Sequence, residues 1–87
     1  MLLNFADFPS RDAYKLLTGL VIPRPIAWVT TLNENGSVNA APFSFFNVFG
    51  SRPPIVIIGM GRRPEGALKD TAANLKVRNF GVVHLVD

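Results

Sequence analysis

Four apolar segments rich in β-branched and aromatic residues constrain the fold of this chain more than any other feature. They span residues 26–32, 40–46, 55–60 and 80–86, and each has the length and composition of a β-strand. Strands this apolar require cover on both faces, yet four are too few to close into a barrel. We therefore expect a mainly β chain, a β-barrel or α+β architecture with helices at its periphery, which a second copy or further sequence completes.

Turn and cap residues predict how these strands are connected. Asn35–Gly36 favours a hairpin between the first two strands, because both residues tolerate positive φ. Residues 47–54 end in two prolines, which cannot donate to a sheet, so we expect a loop there. Ser10 is expected to cap a short helix that stops at Gly19, and Asp70 to cap a second one.

Composition narrows the class of protein. The 87 residues are 48% hydrophobic and 17% charged, which fits one folded domain over residues 1–87. The absence of cysteine argues against thiolate metal sites, and the single histidine, His84, alternates with apolar residues as a core or interface histidine does. We predict no catalytic side chain and no metal. The N-terminus lacks a secretion signal and the apolar run over residues 26–33 is too short to cross a bilayer, so we expect a cytoplasmic protein without a membrane partner.

The net charge of +3 is concentrated in one stretch. Residues 52–78 carry six bases and two acids, a net +4, which leaves −1 for the rest of the chain. Such a stretch indicates an anionic partner or an ordinary solvated surface. A cofactor-free basic barrel that binds nucleic acid is one alternative. However, Phe43 and Phe45 alternate along one strand face as core residues do, with no base between them, so we expect no nucleic-acid partner.

A set of polar residues lies next to strand ends and loops and supplies hydroxyl, amide and cationic donors. A phosphorylated aromatic cofactor requires this combination, with apolar walls for its ring, donors for its polar edge and cations for its phosphate. The set comprises Thr30, Thr31, Ser44, Asn47, Arg62, Arg63, Lys69 and Thr71. It therefore predicts a binding site for such a cofactor.

Five motifs follow one another along the chain. They are PRPIAWVTT at 23–31, NG at 35–36, NAAPFSFFN at 39–47, PP at 53–54 and KDTAAN at 69–74. In order and spacing they resemble the flavin reductase-like, FMN-binding split-barrel family, which includes flavoredoxin and the reductase components of two-component flavin monooxygenases, such as that for nitrilotriacetate. The resemblance extends from about residue 14 to residue 86. Members of that family are about twice as long, so residues 1–87 resemble its N-terminal part and an incomplete barrel.

The resemblance implies a homodimer that holds FMN near the subunit interface, with NADH or NADPH delivering hydride to the flavin. The implied enzyme is an NAD(P)H-dependent flavin reductase, with a partner monooxygenase as a possible acceptor of the reduced flavin. The alternative within this fold is an FMN-holding electron carrier that passes electrons to a protein or ferric acceptor. The family commonly has Asn where this sequence has His84.

Carried over residue by residue, the resemblance implies three groups of cofactor contacts. The edge of the isoalloxazine ring is expected to meet, largely through main-chain groups, Val29, Thr30 and Thr31. The ring and the ribityl chain are expected to follow Ala41, Pro42, Phe43, Ser44 and Asn47, of which Ser44 extends towards the phosphate. The phosphate is expected beside Lys69, Asp70 and Thr71, with Arg62 or Arg63, where the start of a helix also favours an anion.

Overall fold

The computed structural model describes residues 4–85. In chain order, its elements are a 3₁₀ turn Phe5–Asp7, α1 Ser10–Leu20, β1 Ala27–Leu32, β2 Val38–Phe43, β3 Phe46–Ser51, β4 Pro54–Ile58, α2 Asp70–Arg78 and β5 Val82–Leu85. One antiparallel sheet has three strands in the order β2-β1-β5, and the other pairs β3 with β4. Neither sheet closes on itself, and the mainly β prediction is confirmed. The end of the predicted last strand, residue 86, lies outside the described residues.

The predicted hairpin between the first two strands is confirmed, but its turn differs. β1 pairs with β2 from Ala27 opposite Phe43 onwards. Gly36 has a φ of +86°, whereas Asn35 does not take a positive φ. The Asn35 side chain explains this, because its Oδ1 accepts hydrogen bonds from the Ser37 main-chain N–H (3.0 Å) and hydroxyl (2.6 Å). The connection is therefore a longer turn closed by Asn35, with glycine at the left-handed position.

The prediction of a loop over residues 47–54 is wrong. Most of this segment is β3, which pairs antiparallel with β4 up to Ser51 opposite Pro54. The two prolines permit this because they lie at the tip of the hairpin, where no ladder donor is required. The register shifts between Val48 and Gly50, which leaves one residue as a bulge. The predicted strand 40–46 accordingly divides between β2 and β3.

Both cap predictions are wrong by one residue. Ser10 is the first residue of α1, and Pro9 stands before it without a side-chain cap. Asp70 is likewise the first residue of α2, after Lys69. The Asp70 carboxylate is engaged elsewhere, because its Oδ1 lies 2.8 Å from Nη2 of Arg63. In both helices the expected cap residue therefore stands inside the first turn.

The first helix continues one residue past its predicted end at Gly19, to Leu20. Gly19 does not take the left-handed conformation that would terminate the helix. Arg24 closes the helix instead, because its Nη1 donates to the carbonyls of Thr18 and Val21, both at 2.7 Å. The arginine of the PRP motif thus anchors α1 to the chain segment that enters β1.

The core lies on one face of the three-stranded sheet, which we call the inner face. Ala27 and Val29 of β1 and Phe43 of β2 are the buried hydrophobic residues of the described part of the chain. Trp28 and Thr30 alternate with them and point to the outer face, which is more exposed. The second helix, α2, packs against β1 and β2.

Polar hydrogen bonds fix α2 to the sheet. Nδ2 of Asn74 donates to Oγ1 of Thr31 (3.0 Å) and to Oδ1 of Asn33 (2.9 Å). Arg78 donates to the main-chain carbonyls of Leu32 and Asn33. Since these acceptors stand at the end of β1, they set the position of the helix along the strand. The start of α2 is thereby held beside β2.

Much of the remaining apolar surface is open. In β3, Val48 and Phe49 are 70% and 71% exposed, and every residue of β5 is exposed. This surface agrees with the expectation that the strands need cover from elsewhere. Within residues 4–85, none of the helices is long and apolar enough to cross a membrane.

Candidate functional site

A cleft of about 600 Å³ opens where β2, the loop at 61–69 and the start of α2 meet. Its lining combines three cations, a carboxylate, a buried hydroxyl, an amide and an apolar wall. The lining residues are Asn39, Ala41, Pro42, Phe43, Arg62, Arg63, Pro64, Lys69, Asp70 and Thr71. All except Asn39 and Pro64 are among the predicted cofactor contacts. The fold therefore brings residues predicted for the ring side and for the phosphate side into one cleft.

The loop at 61–69 is held by its own hydrogen bonds. The Arg63 N–H donates to the carbonyl of Ala67 (2.9 Å), and the Gly66 N–H donates to the carbonyl of Arg63 (2.8 Å). Gly66 has a φ of +91°, a conformation that L side chains rarely adopt. Nη1 of Arg62 donates to the Gly66 carbonyl at 2.9 Å. Because a guanidinium has five N–H donors, this bond positions Arg62 and leaves other donors for a ligand.

The charges in the cleft sum to +2. Arg62, Arg63 and Lys69 contribute three positive charges and Asp70 contributes one negative charge. Arg63 and Asp70 form an ion pair at 2.8 Å, with side chains 42% and 65% exposed. An ion pair this exposed contributes about 0–1 kcal/mol. An incoming anion of higher charge can therefore compete with Asp70 for Arg63.

Lys69 links the cleft to an adjoining pocket. Its Nζ lies 5.9 Å from the centroid of the Phe43 ring, within the range of a cation–π contact. Both residues, together with Pro42, also line a second pocket of about 260 Å³, which contains Ser44. Ser44 therefore lies in a pocket that shares Pro42, Phe43 and Lys69 with the cleft.

Thr71 is the buried polar residue of the cleft, with 1% of its surface exposed. Its Oγ1 accepts a hydrogen bond from Nδ2 of Asn39 at 3.0 Å. It also stands in the first turn of α2, where main-chain N–H groups have no acceptor within the helix. The Thr71 hydroxyl and these N–H groups occupy the positive end of the helix dipole. Together with the cations they form a donor set suited to an anion.

Asn39 was missed as a site residue, although the sequence contains the signal for it. Asn39, Ala41 and Phe43 are alternate residues of β2 and share the inner face. Once Ala41 and Phe43 were assigned to the site, period-two alternation was sufficient to add Asn39. Pro64 was missed because nothing in its sequence context distinguishes it from a turn residue.

Five predicted contacts do not line the cleft, namely Val29, Thr30, Thr31, Ser44 and Asn47. Val29 belongs to the core and Thr31 is 3% exposed. Thr30 is on the outer face, where its Oγ1 lies 3.1 Å from Nε2 of His84. β1 is the central strand, and its residues from Ala27 to Thr30 have partners on both sides. The main-chain groups of these residues therefore face neighbouring strands, and their contact with a flavin stays a prediction.

Asn47 lines a different pocket of about 350 Å³, which it shares with Ser44 and Arg24. The Asn47 Oδ1 accepts a hydrogen bond from the Val48 N–H at 2.7 Å. Ser44 thus borders both this pocket and the one beside the cleft. A role for Asn47 in cofactor binding also stays a prediction.

The two open antiparallel sheets, with helices at their periphery, place this chain among the split-barrel proteins. Residues 19–87 match the model of the flavin reductase like domain, and the chain belongs to that family. An uncharacterized protein of Halalkalibacterium halodurans is 51% identical over 87 residues, which is 100% of this chain and 42% of that protein. An uncharacterized protein of Bacillus subtilis is 56% identical over 78 residues, 90% of this chain and 38% of that protein.

Two solved structures are similar over 100% of this chain. Nitrilotriacetate monooxygenase component B from Bacillus cereus matches with a TM-score of 0.90 and 39% identity, and the match covers 43% of that protein. The 2-nitrobenzoate 2-nitroreductase NbaA of Pseudomonas fluorescens matches with a TM-score of 0.81 and 39% identity, over 41% of its length. The chain thus spans less than half the length of these relatives. The prediction of a partial split barrel is confirmed.

Proposed function

We propose that this chain provides the phosphate-binding part of an FMN site in a flavin reductase that uses NADH or NADPH. The cleft carries this proposal, because a net charge of +2 stands beside an apolar aromatic wall. A phosphate monoester such as that of FMN carries a charge of about −1.5 to −2 at pH 7. The charge of the cleft therefore matches the charge of the ligand.

The donor set in the cleft fits FMN. Arg62, Arg63, Lys69 and the hydroxyl of Thr71 would hold the phosphate through charge-assisted hydrogen bonds. The adjoining wall of Ala41, Pro42 and Phe43 would face the apolar part of the ligand. When bound, the flavin supplies the redox chemistry, accepting a hydride and passing electrons on. The side chains of this chain bind and orient the cofactor and carry no proposed acid or base role.

The family and its structural neighbours support a flavin-related redox function. One neighbour is component B of a monooxygenase and another is a nitroreductase. For this protein we propose a homodimer and a partner monooxygenase that accepts reduced flavin. The homodimer is supported by the open apolar strands, which a second copy would cover.

Flavin titration tests this proposal. The purified chain is titrated with FMN and with riboflavin, and the quenching of flavin fluorescence is followed. FMN is expected to bind at least about tenfold more tightly, because riboflavin lacks the phosphate and its charge-assisted contacts. Equal affinity for the two ligands would show that the cleft does not bind the phosphate of FMN. Oxidation of NADH and NADPH with free FMN as substrate then distinguishes a reductase, which turns over free flavin, from an electron carrier, which retains it.

A further inference from the structure

Asn39 and Thr71 form a side-chain pair at the base of the cleft. Asn39 belongs to β2 and Thr71 to the first turn of α2, and their side chains are joined by a hydrogen bond of 3.0 Å from Nδ2 to Oγ1. Both residues line the cleft, and Thr71 is 1% exposed. The position of the Thr71 hydroxyl is therefore set by the packing of the helix and by one amide.

The direction of this hydrogen bond determines what the hydroxyl can do. A threonine hydroxyl has one donor and two acceptor lone pairs. The Asn39 amide donates to one lone pair of the Thr71 hydroxyl oxygen, so the hydroxyl proton points away from Asn39. Within residues 4–85 the Thr71 hydroxyl donates to no protein acceptor. A buried donor without an acceptor is unfavourable, so an anion in the cleft would supply the acceptor that the fold does not.

We propose that Asn39 is a positioning residue that turns the Thr71 hydroxyl into a donor for the phosphate of the ligand. This inference rests on the proposed FMN site and adds a residue to it. Asn39 donates to one acceptor site of the hydroxyl oxygen, which leaves the hydroxyl proton for an acceptor in the cleft that Arg63 and Lys69 also line. The amide acts through Thr71 and carries no charge of its own.

Four variants measured with FMN and riboflavin test this arrangement. Thr71→Val removes the hydroxyl at nearly constant shape and is expected to weaken FMN about ten- to hundredfold, the range for a hydrogen bond to a charged group. Asn39→Ala frees the hydroxyl to rotate and is expected to weaken FMN about two- to tenfold. Thr71→Ser keeps the donor and should retain most of the FMN affinity. In the Asn39→Ala/Thr71→Val double variant, the alanine should cause no further loss. Riboflavin affinity should stay within about twofold throughout.

Asn74→Ala is the matched control. Asn74 is the other amide that fixes α2 to the sheet, through Thr31 and Asn33, but it does not line the cleft. A general loosening of the helix would change both flavins equally in the Asn39 and Asn74 variants. A positioning role predicts a loss specific to FMN for Asn39→Ala and no such preference for Asn74→Ala.

Asn39→Asp is a second variant that tests the direction of the hydrogen bond. An ionised carboxylate only accepts, so it would draw the Thr71 proton away from the ligand and weaken FMN more than alanine does. It also provides a readout if Asn39→Ala fails to fold.

Three outcomes would overturn the inference. These are equal losses for FMN and riboflavin in Asn39→Ala, the same loss with and without the Thr71 hydroxyl, and FMN affinity unchanged by Asn39→Asp. If Thr71→Val leaves the FMN affinity unchanged while Lys69→Ala lowers it, the proposed role of Asn39 is refuted, whereas the proposed phosphate site in the cleft is still supported. If neither variant changes FMN binding, the proposed function fails as well.

Discussion

Lys69→Ala is expected to weaken FMN while leaving riboflavin nearly unchanged. Lys69 is the cleft cation best suited to this test, because Arg63 is paired with Asp70 and Arg62 is bonded to the main chain of its own loop. Within residues 4–85, Lys69 forms no ion pair. Removing its ammonium therefore deletes one positive charge of the cleft without breaking a salt bridge.

The expected magnitude follows from the exposure of Lys69. Two unit charges 4 Å apart attract by about 1 kcal/mol in bulk water and by about 4 kcal/mol at the effective dielectric constant of a protein surface. Lys69 is exposed, so the lower part of this range applies. We expect a loss of about 1–2 kcal/mol, equivalent to about five- to thirtyfold weaker FMN binding. Lys69→Ala also removes the cation–π contact with Phe43. This loss is the same in both titrations, so it does not change the ratio of the FMN and riboflavin affinities.

Fluorescence titration of FMN and riboflavin at low and high salt measures the effect. The Debye length falls from about 10 Å at 0.1 M salt to about 3 Å at 1 M, so the preference for FMN should shrink with salt, and less in the variant than in the original chain. Lys76→Ala is the control, because Lys76 lies in the last turn of α2 and changes the net charge equally. Equal weakening of both flavins, or the same loss from Lys76→Ala, would refute the role of Lys69.

Three further predictions concern the cleft, its neighbouring pocket and the assembly. Asp70→Asn is expected to tighten FMN about two- to fivefold, because it frees Arg63 and raises the cleft charge from +2 to +3; weaker binding at low salt would contradict this. Ser44→Ala is expected to weaken FMN about two- to tenfold without slowing stopped-flow reduction of the saturated protein, whereas a large drop in that rate would place Ser44 beside the reacting ring. The chain is expected to sediment as a dimer or larger species, because Val48 and Phe49 are 70% and 71% exposed; a monomer with one bound FMN in analytical ultracentrifugation would contradict this.

Most strands could be predicted from composition, and the exception has a physical cause. The sequence predicts a loop over residues 47–54, because Gly50 and Ser51 favour turning and Pro53 and Pro54 cannot donate to a sheet. The pairing of β3 with β4 overrides these local preferences, since strand propensity depends strongly on cross-strand partners. The prolines mark the tip of the hairpin and not the end of the sheet. The local residue pattern of β3 does not reveal this pairing, because the pairing depends on residues outside the segment.

Only part of the candidate site could be predicted, because some of its residues have local sequence signals and others are positioned by the fold. Its cations and the alternating residues of β2 carry local signals, namely charge and period two. The ion pair between Arg63 and Asp70 spans seven residues of a loop, and its geometry depends on the left-handed Gly66. The resemblance implies main-chain contacts of Val29, Thr30 and Thr31 with one edge of the ligand. Val29 and Thr30 pair with strands on both sides, whereas Thr31 pairs with β2, and only the sheet order reveals this arrangement.

The two ends of the proposed ligand meet surfaces of different kinds. For the phosphate, the described residues supply three cations, a buried hydroxyl and the start of α2. For the ring, they supply the exposed Pro42 and Phe43, of which only 7% is exposed. Apolar affinity scales with the area removed from water, so a wall with so little exposed aromatic surface contributes little. FMN binding by this chain should therefore be mainly electrostatic and strongly dependent on salt. A partner that covers the ring would add affinity that salt does not weaken, and would reduce the relative advantage of FMN over riboflavin.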